Sequence, residues 1–211
     1  MGPARVSGVS YGAMVETMDL VVSAVGRLAP PGDPIDVAED LVPNWPGLYA
    51  IFVDSGWGRR SLGLEMNDDV GPIYVGKAEK SLRSRDLRTH FETGHTGSST
   101  VRRSLAALLR ESLDLHAVPR NQDAPAYFAN YSLEPASDAR LTEWMRGRLT
   151  LATWANPTSL PLRPVEIAVL RTLRPPLNLT DVPKPWPHLK AARSIMAREA
   201  KEWHREQPLG D

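Results

Sequence analysis

Six residues with chemically useful side chains fall in order along the chain: Tyr49, Tyr74, Arg85, His90, Glu166 and Asn178. Tyr49 closes the triplet Gly47-Leu48-Tyr49. Tyr74 opens Tyr74-Val75-Gly76, and Lys77 follows directly. Glu166 and Asn178 stand twelve positions apart. Two phenols, a guanidinium, an imidazole, a carboxylate and a carboxamide suit a small metal-dependent phosphodiesterase. Hydrolysing a phosphodiester needs an activated water, neutralisation of charge growing on the phosphoryl oxygens, and help for the leaving oxygen. A divalent ion held by a carboxylate supplies part of this as a Lewis acid. A free tyrosine has a pKa of about 10, so a tyrosine acting as base at neutral pH needs a cation beside it. Lys77, Arg85 and the metal are the cations available.

These residues need elements to position them. Gly47 to Val53 (GLYAIFV) is aromatic and β-branched between turn residues, which predicts a buried strand. Ser55 to Val70 reads as a long hairpin connection, and Gly71 to Gly76 as the returning strand. Both tyrosines then lie on neighbouring strands and can point to one sheet face. Ser81 to Phe91 and Thr100 to Glu111 read as helices, the second with Val101, Leu105, Leu108 and Leu109 on one face. Tyr127 to Leu133 is a third strand candidate. Asp138 to Leu149 reads as a helix capped by Asp138, and Leu149 to Trp154 as a short strand. Pro164 to Leu173 is a short helix with proline in its first turn. Met14 to Leu28 and Pro187 to Glu206 carry the spacing of amphipathic helices. Strands separated by helical segments predict an α+β domain.

Composition narrows the classes. The formal net charge is zero, so no whole-protein attraction to nucleic acid is expected. From Lys77 to Arg110, however, eight basic residues face three acidic ones. The absence of cysteine excludes disulfides, thiolate metal sites and cysteine nucleophiles. No apolar run reaches the roughly 18 residues of a membrane span. The N-terminus carries no basic start followed by an apolar stretch, so a cytoplasmic protein with no membrane partner is the expectation.

The motif residues resemble the GIY-YIG nuclease superfamily over roughly residues 46 to 179. Gly47-Leu48-Tyr49 stands where that family has Gly-Ile-Tyr, and Tyr74-Val75-Gly76 where it has Tyr-Ile-Gly. Lys77-Ala78 extends the second motif as in excision-repair nucleases. Arg85 and His90 match the Arg and the His or Tyr that follow, at an interval of five residues where the family usually has four. Either the turn is irregular or Arg83 or Arg88 takes the place of Arg85. Glu166 matches the family Glu in a short helix, and Pro175-Pro176-Leu177-Asn178 its Pro-x-Leu-Asn segment. Chain length and the Glu-to-Asn separation look similar to the restriction-enzyme branch.

The resemblance implies a small, mainly antiparallel sheet flanked by helices, with the active site on one sheet face. The division expected is an N-terminal helical extension (1–45), a nuclease domain (46–180) and a C-terminal helical extension (181–211). It implies an endonuclease with DNA as partner, of restriction or defence type. Repair, single-strand cleavage and a catalytically silent nucleic-acid-binding module are the alternatives. Glu166 would hold Mg²⁺, or Mn²⁺ in its place, and a single carboxylate leaves most of the coordination shell to water and substrate. Arg85 would clamp the scissile phosphate. Tyr49 or Tyr74, deprotonated or paired with His90, would take a proton from the attacking water. Asn178 would orient substrate or fix the segment beside Glu166. For DNA binding the candidates are Arg83, Arg88, Ser98, Thr100, Arg102 and Arg103, because small residues, hydroxyls and a helix N-terminus suit backbone phosphates. A homodimer would serve cutting of both strands.

Overall fold

The computed structural model of the chain describes residues 11–54, 56–64, 71–83, 89–122 and 126–206. Its centre is β2 (Gly47–Val53), buried along its whole length. β2 pairs antiparallel with β3 (Tyr74–Ala78) on one side and with β6 (Leu149–Ala155) on the other. The two-residue β1 (Asp33–Pro34) extends β6, so the sheet order is β1-β6-β2-β3. β3 is therefore an edge strand. A second, two-stranded sheet joins β4 (Ala117–Val118) to β5 (Ser132–Leu133).

A buried strand must satisfy both faces, and β2 does so by simple alternation. Leu48, Ala50 and Phe52 pack into one core with α1 (Tyr11–Leu28) and α6 (Leu162–Leu173), through Leu20, Ala24, Leu28, Val165 and Val169. Tyr49, Ile51 and Val53 face the other core. That core is filled from α4 (Thr100–Leu109), α5 (Pro135–Arg148) and α7 (Pro187–Glu206), through Leu105, Leu141, Met145 and Met196. Among the described residues the architecture is α+β, with an antiparallel four-stranded sheet flanked by helices. Both terminal helices contribute side chains to these cores.

Several expectations from periodicity change here. Residues 127–133 do not form one strand. Phe128–Asn130 is a 3-10 turn entered through Tyr127 at positive φ (53°), and only Ser132–Leu133 pairs. The connection before β3 contains a short helix, α3 (Trp57–Ser61), and α2 (Ile35–Leu41) precedes β2. Asp138 is not a helix cap. It lies inside α5, which starts at Pro135, and its carboxylate accepts from the Gly94 amide and the Thr96 hydroxyl. No described helix is long and apolar enough to cross a membrane.

Candidate active site

Register decides which of the motif residues meet. Tyr49 lies opposite Gly76 and Ile51 opposite Tyr74, so both tyrosines share one sheet face. The Tyr49 ring lies directly over Gly76. A Cβ on Gly76 would fall 2.4 Å from the Tyr49 Cζ and Oη, so any larger residue would push the ring out of place. Gly47 is equally confined, with a Cβ there 2.2 Å from the Trp154 carbonyl oxygen. Both motif glycines are thus explained by close packing.

His90 comes from the helical residues Thr89 to Phe91. Its Nε2 shares a 2.6 Å hydrogen bond with the Tyr49 hydroxyl, and its Nδ1 a 2.7 Å bond with Ser99 Oγ. Ser99 is the N-cap of α4, and its Oγ also accepts from the Arg102 amide at 3.2 Å. The imidazole is thereby held at both nitrogens. Burial, and then the nearby Arg102 guanidinium, lower its pKa to about 4, so at neutral pH it is uncharged. Burial first, and then the negative Glu166, raise the Tyr74 pKa; a hydrogen bond with Tyr49 and the charges of Arg103 and Arg193 oppose this. Tyr74 therefore stays a neutral phenol. Of the two tyrosines, Tyr49 is the one whose hydroxyl meets the imidazole.

The depressed His90 pKa has a consequence for stability. The unfolded chain takes up a proton near pH 6.5 and the folded chain only near pH 4. The stabilisation is therefore present above pH 6.5 and is lost as pH falls through that window. At about 1.4 kcal/mol per pKa unit the whole loss amounts to about 3 kcal/mol. Urea unfolding at pH 7 and pH 4.5 should show a larger drop for the wild type than for His90→Gln. Equal drops would mean that His90 carries a proton in the folded state.

Lys77 lies opposite Leu48 and thus starts from the other sheet face, the face covered by α6. Glu166 sits on α6, buried, with Oε2 3.6 Å from Lys77 Nζ and 3.1 Å from Arg163 Nη1. Lys77 also pairs with Glu79 at 2.5 Å, which raises its pKa and keeps it charged. The two sets of residues can meet because β3 is the sheet edge, with no further strand to separate them. A cleft of about 270 Å³ is lined by Tyr49, Lys77, Thr89, His90 and Ser98.

Asn178 works on that same edge. Its carboxamide accepts from the Val75 amide at 2.9 Å and donates to the Val75 carbonyl at 2.8 Å. The Leu177 amide donates to the Ile73 carbonyl at 2.9 Å. The Pro-Pro-Leu-Asn segment therefore completes the free edge of β3 as a surrogate strand would. Of the two readings of Asn178, the structure favours the one that fixes local backbone.

The residues expected to bind DNA divide. Ser98 is exposed beside the cleft, and Thr100 is exposed at the start of α4, its hydroxyl accepting from Arg103 Nη2 at 3.3 Å. Arg83 is spent on the C-terminal end of α2, donating to the Val42 and Asp40 carbonyls at 3.1 and 3.2 Å, where the helix dipole favours a cation. Arg102 corrects the expectation made for it. It is wholly buried and bonds Thr96, His90, Asp138 and Thr142, so no part of it reaches a phosphate. Arg103 is largely buried and donates to the Gly97 carbonyl at 2.7 Å. Arg85 and Arg88 lie outside the described residues, and so does most of the interval between Arg85 and His90.

Pattern reasoning missed Ser99, Thr89 and Arg163. A serine just ahead of a helical run signals an N-cap, but nothing in the sequence announces that its hydroxyl also meets His90.

No group of three or more metal-ligating side chains occurs among the described residues. The buried carboxylate of Glu166 is a hard donor beside the cleft. Only its Oε2 is engaged by described residues, which leaves Oε1 as a donor. That donor set fits an ion coordinated mostly by water and phosphate oxygens. A family model described as the GIY-YIG catalytic domain matches residues 47–200. No curated protein and no solved structure matches the chain.

Proposed function

The chain belongs to the GIY-YIG nuclease superfamily, and on that premise we propose that it is a Mg²⁺-dependent DNA endonuclease of restriction or defence type. The observation that carries this reading is the 2.6 Å pair between Tyr49 and His90, set in a cleft with Lys77 and close to Glu166. With a proton on His90 Nδ1 donated to Ser99, Nε2 accepts the Tyr49 hydroxyl. As water attacks phosphorus, its proton passes to Tyr49 Oη and the tyrosine's own proton to Nε2. A phosphodiester anion brought into the cleft raises the basicity of the buried imidazole, because it favours the charged form. The oxygen of the attacking water bonds to phosphorus, the opposite phosphorus–oxygen bond breaks, and the leaving oxygen takes a proton from solvent. Lys77 stays charged and faces the charge that develops on the phosphoryl group. Tyr74, a neutral phenol, donates and positions. Glu166 would hold the divalent ion, Mg²⁺ or Mn²⁺ in its place, which supplies Lewis-acid stabilisation of the phosphoryl oxygen. Arg85 is assigned to the scissile phosphate on its motif position. A homodimer would supply the second cut in a duplex.

Supercoiled plasmid and a single-stranded circle, each with Mg²⁺ and with EDTA, test the reading. Discrete Mg²⁺-dependent fragments from plasmid are expected. Loss of the single-stranded circle alone would reassign the protein to structure-specific repair or defence. Tyr49→Phe keeps the ring over Gly76 and deletes the proton path, so it should lower the cleavage rate roughly 10²- to 10³-fold with the fold intact. Tyr74→Phe should cost clearly less. Equal losses would place the base elsewhere.

A further inference from the structure

Among the described residues, three arginines gather next to the cleft with no carboxylate to neutralise them. Arg103 is buried, and its Nε has no hydrogen-bond partner. Its Nη1 donates to the Gly97 carbonyl at 2.7 Å. Arg120 follows β4 and lies across the same glycine. A Cβ on Gly97 would fall 2.7 Å from Arg120 Cγ and 2.5 Å from Ser132 Oγ. Gly97 precedes Ser98, which lines the cleft with Tyr49 and His90. The turn at Thr96–Ser98 therefore joins the arginines to the Tyr49–His90 pair.

Arg193 approaches from α7. Leu189, Met196 and Ala200 are the buried residues of that helix, and Arg193 falls on the same stripe by helical spacing. It is half-buried and reaches Tyr131, whose hydroxyl donates to the Arg103 carbonyl at 2.6 Å. Burial first, and then repulsion from Arg193 and Arg120, pull the Arg103 pKa down to about 10. The nearest acid on α7, Glu199, is taken by Arg110 at 2.8 Å and by the Ala117 amide at 2.9 Å. Several arginines elsewhere in the fold are paired, among them Arg146 with Glu39, Arg148 with Asp54 and Arg163 with Asp181. Among the described residues none of Arg103, Arg120 and Arg193 forms an ion pair.

Mutually repelling cations, buried at Arg103, half-buried at Arg193 and exposed at Arg120, are stabilised by an anion, and guanidinium groups match phosphate oxygens in pairs. We propose that Arg120 and Arg193, backed by Arg103, form a phosphate clamp that grips the DNA backbone beside the scissile position. This rests on the nuclease reading above. The phosphodiester bound here is a neighbour of the one cleaved, so the clamp sets where the strand lies and takes no part in bond breaking.

The test is fluorescence anisotropy of a labelled duplex in EDTA, across a series of salt concentrations. Arg120→Gln/Arg193→Gln should weaken binding about 10- to 100-fold at 150 mM salt and reduce the log–log salt slope by about 2, roughly 0.9 for each phosphate no longer neutralised. Thermal unfolding should stay as in the wild type. Arg198→Gln, on the exposed face of the same helix, should change neither. A wild-type slope in the double variant overturns the clamp and leaves the nuclease reading standing. Weaker binding at an unchanged slope also overturns it, because the effect would then be indirect. A wild type that shows no salt-dependent binding and cuts no plasmid removes both.

Discussion

Glu166→Gln should abolish metal-dependent cleavage, with a rate loss of about 10³-fold or more, while DNA binding persists. The change preserves size and shape, so only the charge is lost. The magnitude follows from what the carboxylate is asked to do. It is a buried carboxylate beside the cleft, and it also holds Lys77 and Arg163. Removing the group proposed to hold the ion would remove Lewis-acid stabilisation worth several kcal/mol, and about 4 kcal/mol corresponds to 10³ in rate. The folding cost should be small, because Arg163 is half exposed and keeps Asp181 at 2.8 Å. Nicking of supercoiled plasmid over a Mg²⁺ titration, beside anisotropy in EDTA, separates the two effects. Cleavage unchanged by Glu166→Gln would mean that the ion binds elsewhere.

The largest stability effect is expected at Arg102. Arg102→Ala should lower the unfolding free energy by about 3–5 kcal/mol, the usual cost of leaving one partner of a buried ion pair behind. Asp138 would keep its charge almost wholly out of water, with side-chain exposure of 3%. The guanidinium bridges three elements. It donates to Asp138 Oδ1 at 3.0 Å, to Thr142 Oγ1 at 2.9 Å, to Thr96 Oγ1 at 3.1 Å and to the His90 carbonyl at 3.1 Å. Arg102→Lys should recover little, since one ammonium cannot span that fork. Because the His90 carbonyl is one of its acceptors, activity should fall as well. DNA affinity measured on the folded fraction should keep the wild-type salt slope. A changed slope with unaltered unfolding would return Arg102 to the DNA surface.

Arg102 and Arg193 mark where reading a sequence stops. Arg102-Arg103 follows a Ser/Thr-rich loop at a helix start, which is also how a phosphate-binding loop looks. Only packing shows that the helix turns this face inward, where Asp138, from a helix some forty positions later, waits for Arg102. Arg193 gave the opposite difficulty. It sits in a polar amphipathic helix with no motif around it, and its nearness to Tyr131 and Arg103 comes from docking of that helix on the second core.

Other features needed no coordinates. The GLYAIFV run declared a buried strand, since a two-sided apolar pattern bounded by turn residues has few other uses. The Gly-x-Tyr and Tyr-x-Gly triplets singled out two tyrosines that share a sheet face and the glycines packed around them. Proline in the first turn and the Pro175-Pro176 pair after it declared the short helix that carries Glu166. These are local properties, set by neighbours within a few residues. Tertiary structure decided the rest. Register places Tyr49 on Gly76. The edge position of β3 lets Lys77, paired with Glu166, reach the cleft from the far face, and lets Asn178 complete the strand. The burial of His90 keeps the imidazole that meets Tyr49 neutral. Each of these depends on which groups meet across long stretches of chain, and on how much water is left between them, neither of which a linear pattern encodes.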